Sequence, residues 1–159
     1  MGRLMRRRKE RGQALVEFAL LAPLLVILIF GFVDISRVYH AWTTVQGAAR
    51  DGARYGVTGR GDCAIATDDR LTCIEYTTRQ RAKELTNAAG ALDVSVQSWD
   101  YPAYADPPVA GDAGKACDAI EVVVGYDFTP STPLAASILG AVHLTGRERL
   151  VNEPFAACR

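Results

Sequence analysis

The chain has 159 residues and a formal net charge of zero, from 18 basic and 18 acidic side chains. The charge is unevenly distributed, because residues 1–12 contain six basic side chains and one acidic one, which leaves the rest of the chain acidic. This distribution disfavours binding to nucleic-acid phosphates, and the length has room for one small domain and one membrane helix.

An apolar segment follows the basic one directly. No charged residue occurs from Phe18 to Val33, and a helix over about residues 14–33 would be about 30 Å long, enough to cross a bilayer core. Basic side chains before a membrane helix stay in the cytoplasm, so we expect the N-terminus inside and the rest of the chain outside. Helix-compatible residues follow instead of a small-residue cleavage site, so we expect the segment to remain attached.

One carboxylate lies inside this apolar region. Glu17 lies five residues after Gly12, which precedes Gln13, and it comes directly before Phe18. A charged side chain is costly in a membrane helix, so Glu17 indicates a functional position. The alternative is an ordinary signal anchor in which Glu17 extends to the lipid headgroups.

We predict one long helix over residues 13–56. Its first half is apolar on all sides, and Pro23 should kink it or loosen one turn because proline lacks an amide hydrogen. Its second half carries one apolar stripe at spacings of three and four, which we expect to cover the protein's own sheet. The stripe consists of Ile35, Val38, Trp42, Val45, Ala49 and Gly52.

Residues 57–159 are predicted to form a small α+β head with an antiparallel sheet of about three strands. A capping pattern at Thr77 and Gln80, with Gly90 as the stop, predicts a second helix from Thr77 to Ala89. Alternating apolar residues predict the strands, and proline and glycine predict the loops. The strands are Leu92–Val96, Ile120–Phe128 and Val142–Val151, the loops are Thr58–Cys73 and Trp99–Cys117, and a short helical turn is expected at Leu134–Leu139.

One residue breaks the pattern of the last strand. Glu148 has the same parity as the inward-facing Val142, Leu144 and Leu150. Two explanations are open: a bulge at Gly146 shifts the register, or Glu148 meets an arginine.

All four cysteines lie in the part of the chain expected outside, where disulfides persist. Three pairings are possible, and sequence alone does not choose among them. We favour Cys63–Cys73, which closes a short loop, and Cys117–Cys158, which would tie the C-terminus to the base of a strand. A zinc site is disfavoured, because the chain has no CxxC spacing and no neighbouring histidine.

The chain has no pattern typical of an enzyme, a cofactor site or a metal site. His40 and His143 lack metal-ligand spacing, and neither a glycine-rich phosphate loop nor a GxSxG turn is present. The acidic loop residues match no EF-hand and are expected to be solvated; they are Asp68, Asp69, Asp106 and Asp112.

Residues 11–56 resemble the TadE family of pseudopilins, which are parts of the tight-adherence (Tad/Flp) pilus machinery. The resemblance rests on three colinear stretches, at residues 12–24, 30–34 and 48–56. Many pilins have Phe as the first mature residue, whereas Gln13 stands there in this chain, which departs from major type IV pilins and fits TadE-like proteins. Major Flp pilins are also much shorter, so the resemblance implies a minor subunit.

The resemblance implies a processing site and a set of partners. Residues 1–12 would be a leader that a prepilin peptidase removes after Gly12, and Glu17 would meet the new amine of Gln13 on a neighbouring subunit. The assembly helix would include Glu17, Phe18 and Pro23. The implied partners are the peptidase, other pilin or pseudopilin subunits, the Tad inner-membrane assembly platform and membrane lipid, with no cofactor and no nucleic acid.

These implications describe a single-pass inner-membrane protein that acts in pilus biogenesis and adhesion and can enter an extracellular pilus. The alternative is an uncleaved, signal-anchored binding module outside the cytoplasm. It would act through the loop Trp99–Cys117, where Tyr101 and Tyr104 could contact a partner. Aromatic residues near prolines can equally pack a loop onto its own domain.

Overall fold

The computed structural model describes residues 2–65, 69–86, 92–104, 107–132, 135–137 and 140–158, without the side chains of residues 2–12 and 86. A long helix continues into a head in which helices cover one face of an antiparallel sheet, so the predicted α+β class is confirmed. The elements are α1 (Gly2–Gly56), α2 (Arg70–Arg81), α3 (Lys83–Thr86), β1 (Leu92–Trp99), β2 (Val109–Ala110), β3 (Ala119–Phe128) and β4 (Val142–Val151).

The first helix is longer than predicted. It contains the predicted helix over residues 13–56 and extends further toward the N-terminus, to Gly2. The residues before Gln13 are mostly Arg, Lys, Leu, Met and Glu, which favour helix, and one internal glycine such as Gly12 costs only about 1 kcal/mol. The helix also continues through Pro23. At 1.5 Å per residue α1 is about 80 Å long.

The second helix lies earlier in the chain than predicted. α2 begins at Arg70 because Asp69 caps it: the Thr72 amide donates a hydrogen bond to Asp69 Oδ2 at 3.0 Å. Aspartate is among the best N-cap residues, and the predicted start at Thr77 was therefore wrong. α3 follows α2 directly, and residues 87–90, which include the expected stop, lie outside the described residues.

The four strands pair in the order β2-β1-β3-β4, and all neighbours are antiparallel. β1, β3 and β4 correspond to the three predicted strands. β2 is a two-residue strand in the long loop and was not predicted, because two residues are too few to show an alternating pattern. Residues 135–137 are helical, within the predicted turn at Leu134–Leu139, whose ends lie outside the described residues.

The pairing of β3 with β4 decides between the two explanations of Glu148. The register is constant over all ten residue pairs, so the explanation that invoked a bulge at Gly146 was wrong. Glu148 instead lies beside Arg50 of α1, with 4.0 Å between Glu148 Oε2 and Arg50 Nε. Both side chains are partly exposed, so this ion pair contributes little stability.

The core lies between the helices and one face of the sheet. Its fully buried side chains include Val45, Ala48, Ala49, Ala53, Ile74, Ile120, Val122 and Val124. The opposite face of the sheet presents exposed polar residues such as Asp93, Ser95, Arg147 and Arg149. A sheet that is covered on one side produces this alternation.

Two glycines set how deeply α1 sits in the head. A Cβ atom on Gly146 would lie 2.6 Å from the backbone oxygen of Val45, so β4 can pass beneath α1 only without a side chain there. A Cβ atom on Gly52 would lie 2.0 Å from Thr78 Oγ1 of α2. The small residues near the end of α1 therefore allow the sheet and α2 to pack directly against its backbone.

The apolar stripe of α1 covers the sheet only over its upper half. Val45 is fully buried, as predicted, but Ile35 and Trp42 remain 66% and 44% exposed, so the prediction for the lower half was wrong. An α-helix drifts by about 20° every seven residues relative to a strict seven-residue repeat. Asp34 and Ala41 consequently face the head in place of Ile35 and Trp42.

We predict that Gly52→Ala lowers the free energy of unfolding by about 1–3 kcal/mol, because the added methyl group overpacks the contact with Thr78. Gly47→Ala is the matched control, since its Cβ would meet only Arg81 Nε at 3.9 Å. That change should be neutral or stabilising by up to about 1 kcal/mol. Denaturant unfolding of the full chain in detergent, followed by tryptophan fluorescence, measures both; equal stabilities would contradict the close packing.

Candidate assembly surface

The apolar part of α1 is exposed along its length. Every large apolar side chain from Leu15 to Val33 is exposed, up to 75% for Leu20. The helix is long and apolar enough to cross a membrane. Monomeric soluble proteins rarely expose continuous apolar patches of this size, so the segment has the properties of a single-pass membrane anchor.

The predicted processing and assembly residues lie at the N-terminal end of this anchor. The side chains of Gln13, Glu17, Phe18 and Pro23 are all exposed. Gln13 and Glu17 are separated by about one helical turn, or about 6 Å along the axis. The backbone of Gly12 is helical, and the side chains of the residues before it are not described. Glu17 is therefore accessible to a cation on a neighbouring helix.

A polar contact fastens the head to α1 just above the anchor. The side chain of Asp34 is buried; its Oδ1 accepts a hydrogen bond from the Ser131 amide at 3.3 Å, and its Oδ2 accepts one from the Thr132 hydroxyl. Three residues later, the guanidinium of Arg37 lies 5.8 Å from the centroid of the Phe128 ring. These contacts hold the end of β3 and the residues directly after it against α1.

Beside this contact an apolar groove of about 530 Å³ opens between α1 and β4. We call it the α1–β4 groove. Its α1 side consists of Gly31, Asp34, Ile35, Val38, Tyr39 and Trp42, with Gly31 at the membrane end, and its other side consists of Val142 and Leu144 of β4 with Pro130 and Ala135 of the segment before β4. The rings of Tyr39 and Trp42 have their centroids 6.0 Å apart and remain largely exposed.

Sequence reasoning missed this groove because it assigned Ile35 and Trp42 to the buried stripe. Tyr39 was the available signal, since it lies four residues after Ile35 and three before Trp42 and therefore shares their side of the helix. The buried face of α1 runs beside this one, through Ala41 and Val45. The head covers only this buried face of α1. The other, exposed face indicates a contact with another molecule.

One arginine fastens the opposite, membrane-distal end of the head. Arg70 donates to the Gly56 carbonyl from Nε at 3.1 Å and from Nη2 at 2.6 Å, and to the Gly114 carbonyl from Nη1 at 2.5 Å. Its Nη2 also donates to Asn152 Oδ1 at 2.9 Å, and its guanidinium lies 5.1 Å from the centroid of the Phe155 ring. Burial lowers the pKa of Arg70 from its ordinary value.

Both disulfides lie at the same distal end. Cys63 is bonded to Cys73 and Cys117 to Cys158, with 5.5 Å between the Cα atoms of each pair. These are the two pairs favoured from the sequence. Together with Arg70, they hold the loop after α1, the loop before β3 and the C-terminal segment to the head.

Described residues of the long loop between β1 and β3 are bonded to the head. The Tyr104 hydroxyl donates to the Cys117 carbonyl at 2.7 Å, and the Tyr101 amide donates to Asp118 Oδ1 at 2.8 Å. The side chain of Tyr104 therefore has its contact within the head itself. The ring of Tyr101 is 44% exposed and stays accessible to a partner.

The described acids and histidines are dispersed. Within the part of the chain that the structure describes, no group of three or more His, Cys, Asp or Glu side chains could hold a metal ion. His143 Nδ1 lies 2.7 Å from Asp127 Oδ1 on the exposed face of the sheet, and His40 is exposed on α1. Asp68 and Asp106 lie outside the described residues.

A long exposed apolar helix that continues into a small α+β head is the architecture of a protein held in a membrane by a single helix. The family model described as TadE-like protein matches residues 12–54, from the Gly12 junction almost to the end of α1, which confirms the resemblance seen in the sequence. Searches of curated proteins and of solved structures found no significant match. The family match supports a pilin-like protein associated with a Tad pilus.

We predict that Asp34→Ala lowers the free energy of unfolding by about 1–3 kcal/mol, because the Ser131 amide and the Thr132 hydroxyl lose their acceptor. Asp127→Ala is the matched control, since it removes an exposed carboxylate from a surface pair and should cost less than about 1 kcal/mol. Urea unfolding of the full chain in detergent measures both. If the two variants lose the same stability, Asp34 does not fasten the head to α1.

Proposed function

We propose that the protein is a minor pilin or pseudopilin of a Tad-type pilus assembly system, and that a prepilin peptidase cleaves it after Gly12. It acts as a building block in pilus biogenesis and adhesion and performs no catalysis. The extent of the family match carries the proposal: residues 12–54 contain the Gly12–Gln13 bond, Glu17 and the exposed apolar anchor in one segment.

Cleavage would change how the anchor can move and what it can bind. The six basic side chains and one acidic side chain of residues 1–12 hold the precursor at the cytoplasmic surface, because charge enters the bilayer core only at high cost. Removal of the leader deletes this charge and creates one amine, at Gln13. That amine can pair with Glu17 of a neighbouring subunit, so that processing turns a tethered precursor into a subunit able to join a stack of helices.

We place the N-terminus in the cytoplasm and residues 57–159 outside. The basic residues before the anchor support this orientation. The location of all four cysteines in the head also supports it, since disulfides persist outside the cytoplasm. The partners in this proposal are the peptidase, other pilin or pseudopilin subunits, the inner-membrane assembly platform and membrane lipid.

We predict that the mature protein begins at Gln13 in cells that contain an active prepilin peptidase. Gly12→Val should block cleavage, because the site needs a small side chain before the cut bond, whereas Gly12→Ala should be tolerated better. Intact-mass measurement of the membrane protein distinguishes the forms. An uncut leader in the unmodified chain would instead favour the signal-anchored binding module, with Tyr101 as its exposed contact residue.

We predict that Glu17→Ala protein inserts, is cleaved and keeps its head fold, but fails to join or support the pilus. Removal of one partner from an ion pair that is shielded from water costs about 3–5 kcal/mol, so incorporation should fall by at least tenfold. Glu17→Gln is the isosteric control and should behave like Glu17→Ala, because an amide does not replace the negative charge.

Two measurements on the same Glu17 variants separate pairing from processing. N-terminal sequencing reports cleavage, and immunodetection in sheared pili reports incorporation. Normal cleavage with normal incorporation would show that Glu17 does not pair with the amine. Blocked cleavage would assign Glu17 to recognition by the peptidase.

A further inference from the structure

The α1–β4 groove leaves three large side chains of α1 uncovered. Ile35, Tyr39 and Trp42 are 66%, 64% and 44% exposed. On the other side of the groove, Val142 and Leu144 present the apolar edge of the sheet. No described segment of the chain fills the space between these two walls.

Lipid can cover only the lower part of this groove. If the hydrocarbon core ends near Val33, Trp42 lies about 13 Å further along the helix axis, whereas the interfacial layer is only about 5–8 Å thick on each side. Tyr39 therefore lies at the outer limit of the lipid and Trp42 beyond it, where the neighbour that can cover them is a protein. At the other end, Gly31 lies within the anchor, so the same occupant must also enter the bilayer.

An apolar helix that emerges from the same membrane fulfils both conditions, and α1 is such a helix. From Phe18 to Ala49 its charged residues are Asp34 and Arg37, and both are engaged with the head. Asp34 also borders the groove, but its carboxylate is buried and bonded to Ser131 and Thr132, so the exposed side chains of α1 along the groove are uncharged. Two copies can approach along this side without repulsion between like charges.

The spacing of the residues on this side also fits a helix neighbour. Gly31, Ile35, Val38 and Trp42 follow one another at intervals of four, three and four, the spacing of the contact seam between packed helices. A Cβ atom on Gly31 would have no atom within 4 Å. There is thus room beside Gly31 for a side chain of the neighbour.

We propose that the α1–β4 groove binds the α1 helix of a second copy of this chain, anchored in the same membrane and oriented in the same direction. This contact would lie mainly above the bilayer, whereas the pairing of Glu17 would lie at the N-terminal end of the same helix. The head contributes one wall of this site through β4, so that the contact requires a folded head as well as an anchor.

The register of this contact rests on the proposed function. Glu17 and Ile35 are separated by about five full helical turns, so they lie on the same side of α1. Pairing of the copy's Gln13 amine with Glu17 displaces the copy outward by one turn and brings its Gly31 level with Ile35. A small residue then faces a large one. A displaced contact of this kind is heterologous, so that each subunit can offer its groove to one neighbour and its helix to another.

Photo-cross-linking of the full chain in its native membrane tests the proposal. Benzoylphenylalanine replaces Tyr39 or Trp42, which exchanges one aromatic ring for another. The same probe at His40, exposed at the same height on the other side of α1, is the control. We expect the Tyr39 and Trp42 probes to give a product of twice the mass of the chain, and the His40 probe to give at least fivefold less. A tagged, longer copy expressed together with the chain should add a product of intermediate mass.

Matched substitutions test whether the cross-link depends on the groove. Ile35→Lys, in the chain with the Trp42 probe, should lower the yield of product at least fivefold. The side chain of Ile35 is 66% exposed, so this change leaves the core of the head intact. Ser36→Lys adds the same charge at the same height outside the groove and should leave the yield unchanged.

Each other outcome overturns the proposal. These outcomes are a product with a different protein, a product with lipid alone, no product, equal yields from the Trp42 and His40 probes, and equal effects of the two lysine substitutions. The N-terminal residue, read from the same samples, tests the proposed function separately. A retained leader counts against processing whatever the cross-link shows, and absence of the cross-link in cleaved protein counts against the groove contact alone.

Discussion

The close packing of α1 on the sheet is the contact on which the rest of the structure depends. At Gly146 the strand β4 passes so near to α1 that a Cβ atom there would lie 2.6 Å from the Val45 carbonyl oxygen, and at Gly52 there is no room for a side chain beside Thr78. The same helix thus forms the membrane anchor and one layer of the core. The position of the head above the membrane is therefore set by packing rather than by a linker.

Polar and covalent fastenings at the two ends of the head support this packing. Near the membrane, the buried Asp34 holds the residues directly after β3. At the distal end, Arg70 and the two disulfides join the end of α1, the loops and the C-terminal segment. In this arrangement two apolar surfaces of α1 stay exposed among the described side chains: the anchor that carries Glu17 and the α1–β4 groove.

The regular elements of the head were predictable where a local pattern was strong. β4 has the predicted bounds because Val142, Leu144 and Leu150 keep the alternation around Glu148, and the two favoured cysteine pairs are those in the structure. α2 was misplaced because two capping patterns competed and the carboxylate of Asp69 took precedence over Thr77. The leader boundary at Gly12 and the pairing of Glu17 stay predictions, because they concern a cleavage and a neighbour rather than the fold of one chain.

The sequence by itself determined the apolar anchor, the basic segment before it, the α+β class and the resemblance to TadE-like proteins, because each depends on composition or spacing along a continuous stretch. Only the tertiary structure decided which side of α1 the head covers. That choice depends on where β4 crosses the helix, at Gly146, and on the burial of Asp34, which turns Ile35 and Trp42 away from the core. A helical period specifies an apolar face, but contacts between residues distant in sequence decide what covers it.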